Sequence, residues 1–554
     1  MWPLIADTRH VCMPAEENSF VVDLQPIGRR VPVRAGETLL QAAQCAGVEL
    51  QAVCGGSGTC GHCKVRLVAG QLSPITPDER DHFDDDSLRQ GWRLACRASV
   101  RSDATVAIPA ESLTSEQRVQ LESEESRVEV DHAIEGPDAS QVQPQIGLAI
   151  DLGTTKLAGY LVNLRTGETI AQQGLMNPQI AYGEDVISRI SYADKSEEHR
   201  QQLHQAVLGG IDRLAQTLCE QASISPARIR RAVIAGNTAM HHLFAGLPVE
   251  QLGRAPYMPA QTTAAELSAS QTGLTFLSAA AVYTPPNIAG YVGGDHVAML
   301  LGVDIQNCES PTLTIDIGTN TELTLKAGNR LLTCSCASGP AFEGAHIHQG
   351  MRAAPGAIER VRLHNGSLQI YTIDRRPACG ICGSGILDAI AVLLDADFLD
   401  TRGNFRKNIP GVRLKHGRPE FVLADAGVAA NGTEITVTRQ DICEIQLAKA
   451  AIRAGIDALL EAGEVQASEL KNFIVAGAFG SYLDPRSAVR IGLFPPVSLE
   501  RIRQVGNAAG LGARQMLASS AKRREAEELA AKIEYIELTN SPGFHEKFVK
   551  AMLF

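Results

Sequence analysis

The sequence has no excess of basic residues, and that absence narrows what it can do. Its formal charge is −11 over 554 residues, whereas a nucleic-acid-binding surface needs a stripe of lysine and arginine. Long apolar runs are missing too. The longest, around residues 385–394, is broken by Asp388 and closed by Asp395 and Asp397. It is too short for a bilayer and reads as a buried helix. Residues 1–18 lack a basic region followed by an apolar run, so no secretory signal is expected there. These absences predict a soluble, cytoplasmic protein with no membrane or nucleic-acid partner. A disulfide framework is also absent, because the 13 cysteines are odd in number and mostly scattered. In a reducing compartment, grouped cysteines point instead to metal or redox chemistry. The chain is too long for one compact core, and its 50 glycines and ordinary apolar fraction suit a multidomain α/β enzyme.

Four cysteines are grouped. Residues 18–110 read as a small β-rich unit, with strands at 20–22 and 31–33, a turn at Gly28, and a helix over 39–43 capped by Thr38 and stopping near Gly47. Cys54, Cys60 and Cys63 then fall in one glycine-rich loop, and Cys96 precedes a strand at 105–108. Such a loop suits an iron–sulfur cluster, because glycines allow φ > 0 and let backbone N–H groups point at the sulfurs. The gaps of five residues and then two resemble those of adrenodoxin-like and related bacterial 2Fe–2S ferredoxins. The resemblance implies a β-grasp fold with Cys54, Cys60, Cys63 and Cys96 as ligands of a 2Fe–2S cluster. A structural zinc site also takes four cysteines, but usually as two Cys-x-x-Cys pairs, and this loop has one. Cys12 and Cys45 read as bystanders.

Residues 111–145 are acidic, polar and poor in aromatics, with Pro137 and Pro144, which predicts a flexible linker with some helix near 113–121. From 146 onward the chain is an internal duplication. Residues 148–156 and 313–321 share an apolar strand ending in Asp, a Gly-containing hairpin and flanking hydroxyls; 232–238 and 473–480 form a second pair in the same order. Repeats this long predict two homologous lobes, about 146–305 and 306–554, rather than a solenoid. A glycine hairpin with adjacent hydroxyls offers donors to phosphate oxygens, and a strand-end Asp can hold Mg²⁺ or its waters. Two such hairpins facing one cleft would clamp a polyphosphate.

The body resembles the actin, sugar kinase and heat-shock chaperone superfamily. Within it, the body resembles the reductive activators of corrinoid-dependent methyltransferases and of the corrinoid iron–sulfur protein. The resemblance is carried by 182–190, 235–238, 339–345, 350–358, 380–385, 477–481 and 491–495. It implies a two-lobed ATPase fused to a ferredoxin module. Some relatives carry a further small domain between the two; here residues 111–145 fill that place.

The implied activity is ATP-dependent return of one electron to protein-bound Co(II), restoring Co(I). A plant-type cluster near roughly −400 mV is not low enough for that unaided, and each ~59 mV of mismatch costs a factor of ten. The implied cofactors are a 2Fe–2S cluster, ATP and Mg²⁺; the implied partners are a corrinoid protein and an upstream electron donor, with a homodimer left open. In that scheme Asp151 and Asp316 organise Mg²⁺ and the attacking water. Gly153, Thr154, Thr155, Gly318, Thr319 and Asn320 contact phosphates, Gly383 and Ser384 offer a helix start, and Gly477, Ala478 and Gly480 bracket the nucleoside. Cys334, Cys336, Cys379 and Cys382 read as small residues beside a phosphate loop. A small-molecule kinase with a redox-regulatory domain is the alternative enzyme, and a chaperone-like ATPase for cofactor insertion the alternative binding protein.

Overall fold

The computed structural model describes residues 19–25, 29–46, 48, 50–52, 54, 56–109, 112, 127–131, 145–183, 185–277, 280–344, 346–364, 367–415, 417–430, 432 and 434–554. They form two compact units, Met1–Glu116 with Pro178–His199, and Gln117–Asn177 with Arg200–Phe554.

The first unit is built on a five-stranded sheet. Its order is Arg29–Arg34, Ser19–Gln25, Ala104–Ala107, Lys64–Ala69, Trp92–Leu94. The first two strands are antiparallel, with Val22 opposite Val31, and Val31 and Val33 are buried while Arg30 and Arg34 alternate outward. The helix Leu39–Cys45 starts as the sequence predicts. The Gln41 N–H donates to the Thr38 hydroxyl (3.2 Å), and the Thr38 N–H donates to the Gln41 side-chain Oε1 (2.8 Å). This reciprocal cap satisfies two of the orphan donors at the helix start. Leu39, Leu40, Ala42 and Ala43 then bury into the unit's core. The turn at Gly28, the stop at Gly47 and Cys12 lie outside the described residues. In the same unit, Pro178–His199 carries the helix Val186–Ala193 and an aromatic row, with ring centroids 5.1 Å apart for Tyr182 and Tyr192 and 4.6 Å for Tyr192 and His199.

The second unit contains two six-stranded sheets that share a five-strand order, with the sixth strand added at opposite edges, beside Ala281–Thr284 in one and beside Arg330–Cys336 in the other. One runs Ala265–Ser268, Ala281–Thr284, Ile229–Gly236, Ile146–Leu152, Lys156–Asn163, Thr169–Met176; the other runs Ile502–Gln504, Asn472–Ala476, Thr312–Ile317, Thr321–Ala327, Arg330–Cys336, Ile533–Tyr535. In each, the Asp-bearing strand forms an antiparallel hairpin with the next strand and lies parallel to its partner from the second repeat pair. Asp151 stands beside Ala235, and Asp316 beside Ala476, in the same register. The duplication legible in the sequence is therefore a duplication of sheet order.

Each copy also sends one helix, Gly294–Gly302 or Ala508–Ala518, toward the other. The two cross at glycines. A Cβ at Gly512 would lie 1.8 Å from the Ala298 carbonyl oxygen, and one at Gly302 would lie 2.4 Å from that of Ala508. The apolar run at 385–394 lies in the buried helix Gly383–Asp395. Among the described residues, no helix is long and apolar enough to cross a membrane.

Of the acidic connecting segment, residues 127–131 are packed onto the second unit. The Val128 N–H donates to the Gly167 carbonyl (2.9 Å), the Asp131 N–H to that of Ala518 (3.1 Å), and the Ser520 hydroxyl to the Asp131 carboxylate (2.7 Å). Residues 113–126 and 132–144, where flexibility and the short helix are expected, lie outside the described residues.

Candidate functional site

The four grouped cysteines meet in the first unit. Cys63 and Cys96 are buried, Cys54 and Cys60 partly exposed. The thiols contact one another in a chain, Cys60 to Cys54, Cys54 to Cys96 and Cys96 to Cys63. Hydrogen bonds from Cys60 and then Cys96 hold the Cys54 thiol low, and one from Cys96 holds Cys63 low. Cys60 and Cys96, the donors, are pushed up. Backbone N–H groups also point at sulfur, from His62 to Cys60 and from Ala95 and Cys96 to Cys63.

Among the described residues, no group of three or more His, Cys, Asp or Glu is placed to hold a single metal ion. The four thiols instead lie in one continuous row of contacts, in which Cys54 meets both Cys60 and Cys96. Four thiolates shared by two irons are what a 2Fe–2S cluster requires, so the residues fit that group.

The loop needs its glycines. Gly58 (φ +83°) and Gly61 (φ +71°) adopt left-handed backbone, and a Cβ there would lie 2.5 Å from Arg97 Nε and 2.7 Å from His82 Nδ1. The short helix Pro77–His82 braces the fourth cysteine. Arg93 donates to both carboxylate oxygens of Glu79 (2.8 and 3.0 Å), the Leu94 N–H donates to the same group (3.1 Å), and Arg97 pairs with Asp78. Burial opposes charge on Glu79, but the Arg93 guanidinium and the backbone donors override it and hold its carboxyl below the usual range.

The second unit has a cavity of about 250 Å³ between its duplicated hairpins. Asp151, Gly153, Thr154 and Thr155 line it from one copy; Asp316, Gly318, Thr319 and Asn320 line it from the other; Gly383, Ser384 and Gly477 complete that part of the wall. The sequence's candidates are thus brought together, except Gly480, which packs against Val475 instead; Ala478 opens the helix Ala478–Tyr482.

Ser384 is placed differently from a cap. Cys382 holds the N-cap position of Gly383–Asp395, and the Ser384 hydroxyl donates to the Glu359 carbonyl (3.0 Å). What that helix offers the cavity is its N-terminus, which favours anions. Gly477 (φ +90°) lets the backbone pass Asp316, where a Cβ would lie 2.6 Å from the carboxylate.

Side chains hold the hairpins in shape. The Asn177 amide donates to the Gly153 carbonyl (2.9 Å) and Asn237 to the Thr154 hydroxyl (2.9 Å). In the other copy the Ser338 hydroxyl reaches the Gly318 and Thr319 carbonyls (3.3 and 3.2 Å).

The cavity also holds acids that the motifs did not single out. Asp295, at the start of Gly294–Gly302, and Glu322, directly across its hairpin from Asp316, join the two strand-end aspartates. Burial pushes Asp151 up to about 6, against a hydrogen bond from Asn507 (2.9 Å). Burial and the charge of Asp151 push Asp316 up to about 7; burial, Asp151 and Asp316 push Asp295 up to about 8. Burial, and then the charges of Asp295 and Asp316, raise Glu322 well above the usual carboxylate range. The opposite charges, Lys156 and Arg352, line the cavity too, and burial lowers Lys156 to about 8 despite nearby Glu343. Phe342 and Phe479 stack on the wall, centroids 5.1 Å apart and 16° from parallel.

Three protein-family models match this chain. They are described as the C-terminal ASKHA domain of RACo (residues 310–554), the RACo middle region (146–308) and a 2Fe–2S iron–sulfur cluster binding domain (22–101). The chain is 36% identical to a corrinoid activation enzyme, RamQ, of Eubacterium limosum, covering 76% of this chain and 72% of that protein. It is 28% identical to the [Co(II) methylated amine-specific corrinoid protein] reductase of Methanosarcina barkeri, over 73% and 76%. A solved structure, titled the reductive activator for corrinoid,iron-sulfur protein, matches with a TM-score of 0.69 and 32% identity, over 97% of this chain and 98% of that one.

Proposed function

The chain belongs to the RACo family of corrinoid activators, and from that premise we propose that it is an ATP-dependent reductive activator, passing one electron to a protein-bound Co(II) corrinoid of a methyltransferase system and so restoring Co(I). The observation that carries this reading is that one chain holds both four thiols in mutual contact and a cavity clamped by duplicated Asp-x-Gly-Thr hairpins.

The electron-carrying part is residues 18–110, joined through 111–145 to an ATPase of residues 146–554 with lobes 146–305 and 306–554. A 2Fe–2S cluster, when bound by Cys54, Cys60, Cys63 and Cys96, supplies single electrons. Around those cysteines the protein's own work is electrostatic. The N–H groups of His62, Ala95 and Cys96 lower the sulfurs' electron density, and the Glu79–Arg93 pair fixes the strand leading to Cys96.

In the cavity, Thr154, Thr155, Thr319, Asn320, Gly153 and Gly318 hold phosphate oxygens, helped by the N-terminus at Gly383. Asp151 and Asp316 would hold Mg²⁺, which would neutralise charge at the phosphates, and they orient the water that attacks phosphorus. Four acids raised by burial, three of them also by the charge of a neighbouring acid, would be relieved by a cation, which supports the Mg²⁺ assignment. Gly477 gives the nucleoside room. Closure of the two hairpins on ATP changes which state of the corrinoid protein is bound, and hydrolysis releases it. The partners are that corrinoid protein and an upstream electron donor, the place of action is the cytoplasm, and a homodimer is compatible with the scheme.

The test is anaerobic. Reduced protein, Mg²⁺, ATP and a Co(II) corrinoid protein are mixed, and the visible spectrum should gain the Co(I) band. Equal Co(I) formation without nucleotide would sink the reading.

A further inference from the structure

Among the cavity's charges, one carboxylate sits where an incoming anion would be expected. The Thr155 hydroxyl, from one duplicated hairpin, donates to Glu343 (3.1 Å to Oε2, 3.3 Å to Oε1), and the Thr319 hydroxyl, from the other hairpin, donates to Glu343 Oε1 (2.6 Å). Both hydroxyls are ones the hairpin chemistry assigns to phosphate. The cations lining the cavity fit the same picture, since the charge of Glu343 supports protonated Lys156 while Arg352 opposes it. Two hydroxyl donors and two cations make an anion site, and here its occupant belongs to the chain.

The segment that delivers Glu343 is suited to withdraw. It ends the single turn Pro340–Glu343, bounded by Gly339 (φ +71°) and Gly344 (φ +83°), and a Cβ at Gly339 would meet nothing within 4 Å. The neighbouring Phe342 is anchored by its stack on Phe479. The turn therefore has one glycine with open space beside it and one fixed ring from which to swing.

We propose that Glu343 is a phosphate stand-in: its carboxylate ties the two hairpins together through Thr155 and Thr319, and a nucleotide's terminal phosphate displaces it, so that the Pro340–Glu343 turn reports occupancy. This deepens the nucleotide reading of the cavity and rests on it. A phosphate and a carboxylate cannot share these donors without like-charge repulsion, so one must leave. Glu343 is thus a positioning residue that competes with the ligand, and its loss should improve binding, which a merely structural role would not do.

The experiment measures Mg²⁺–ATP affinity and the steady-state KM for ATP with wild-type full-length protein and the variants Glu343→Ala and Glu343→Gln. The expected result is tighter binding in both, about tenfold for Ala, on the scale of losing one competing charge-assisted hydrogen bond, with a matching fall in KM. The near-isosteric Gln keeps the test alive should Ala fail to fold, and its gain should be smaller. Unchanged or weaker affinity in the folded variants, with wild type binding nucleotide normally, overturns this proposal and leaves the ATPase reading standing. Wild-type protein that binds no nucleotide overturns both.

Discussion

The cysteine loop and the cavity treat buried acids in opposite ways. Beside the loop, Glu79 is fully buried yet meets a bidentate arginine and a backbone donor, so it stays ionised with nothing left to bind. In the cavity, Asp151, Asp295, Asp316 and Glu322 lean on one another and rise toward or beyond neutrality. A charge compensated from within belongs to the scaffold; charges left mutually repelling mark a place prepared for something from outside.

The sharpest break in that comparison is Cys60→Ser. It should remove nearly all iron–sulfur absorbance and Co(I) formation, by about a hundredfold or more, a scale set by loss of a metal ligand being at least as severe as loss of its supporting partners. ATP hydrolysis should persist, and loss of both would mean the two regions are not separable.

Next in size is Glu79→Gln. Leaving Arg93 buried without its partner should destabilise the first unit by about 3–5 kcal/mol, read as an earlier thermal loss of cluster absorbance. An unchanged transition would show that the pair is not the brace described here.

Asp316→Asn should lower ATP turnover by about a hundredfold, within the usual span for a group that handles proton or water in the reaction, while the cluster spectrum stays as in wild type. Wild-type turnover would remove Asp316 from the chemistry.

The smallest effect is also the one that sets the two regions side by side. In the cavity the folded acids bind protons more tightly than in the unfolded chain, where carboxyls titrate near ~4. The nucleotide-free second unit should therefore be most stable in mild acid and weaken as pH rises through about 6, 7 and 8 for Asp151, Asp316 and Asp295. Glu79, held low, contributes above the unfolded carboxyl pKa and is lost only as pH falls through its folded value. Melting curves followed by cluster absorbance and by nucleotide-sensitive fluorescence should slope oppositely with pH, and Asp295→Asn should flatten the alkaline limb. Parallel slopes would erase the distinction.

Much of this was legible in the sequence because it is local. The cysteines of one loop, the Thr38 cap and the two strand–Asp–Gly hairpins are each specified within a few neighbouring residues, and repetition exposed the two-copy sheet order. The missed acids are not local. Asp295 follows Gly293 and Gly294 at the start of a helix and reaches Asp316 only through the sheet's closure. Glu322 had a signal: it faces Asp316 where the other copy places Ala158 opposite Asp151, a break in the repeat that alignment of the two copies exposes. Glu343 stands in the 339–345 motif, but nothing local there points to its partners, since Thr155 lies 188 residues away and Thr319 lies 24. Gly383 and Ser384 do line the cavity at a helix start, and only folding reveals that the Ser384 hydroxyl is spent on the Glu359 carbonyl.

Where Gly294–Gly302 meets Ala508–Ala518, backbone lies on backbone with no side chain as padding. Such a contact sets how closely the two helices can approach and leaves no side chain free to re-pack. A methyl at Gly512 has no rotamer with which to escape the Ala298 carbonyl, so Gly512→Ala would force apart the two helices that carry Asp295 and Ala509 to the cavity wall.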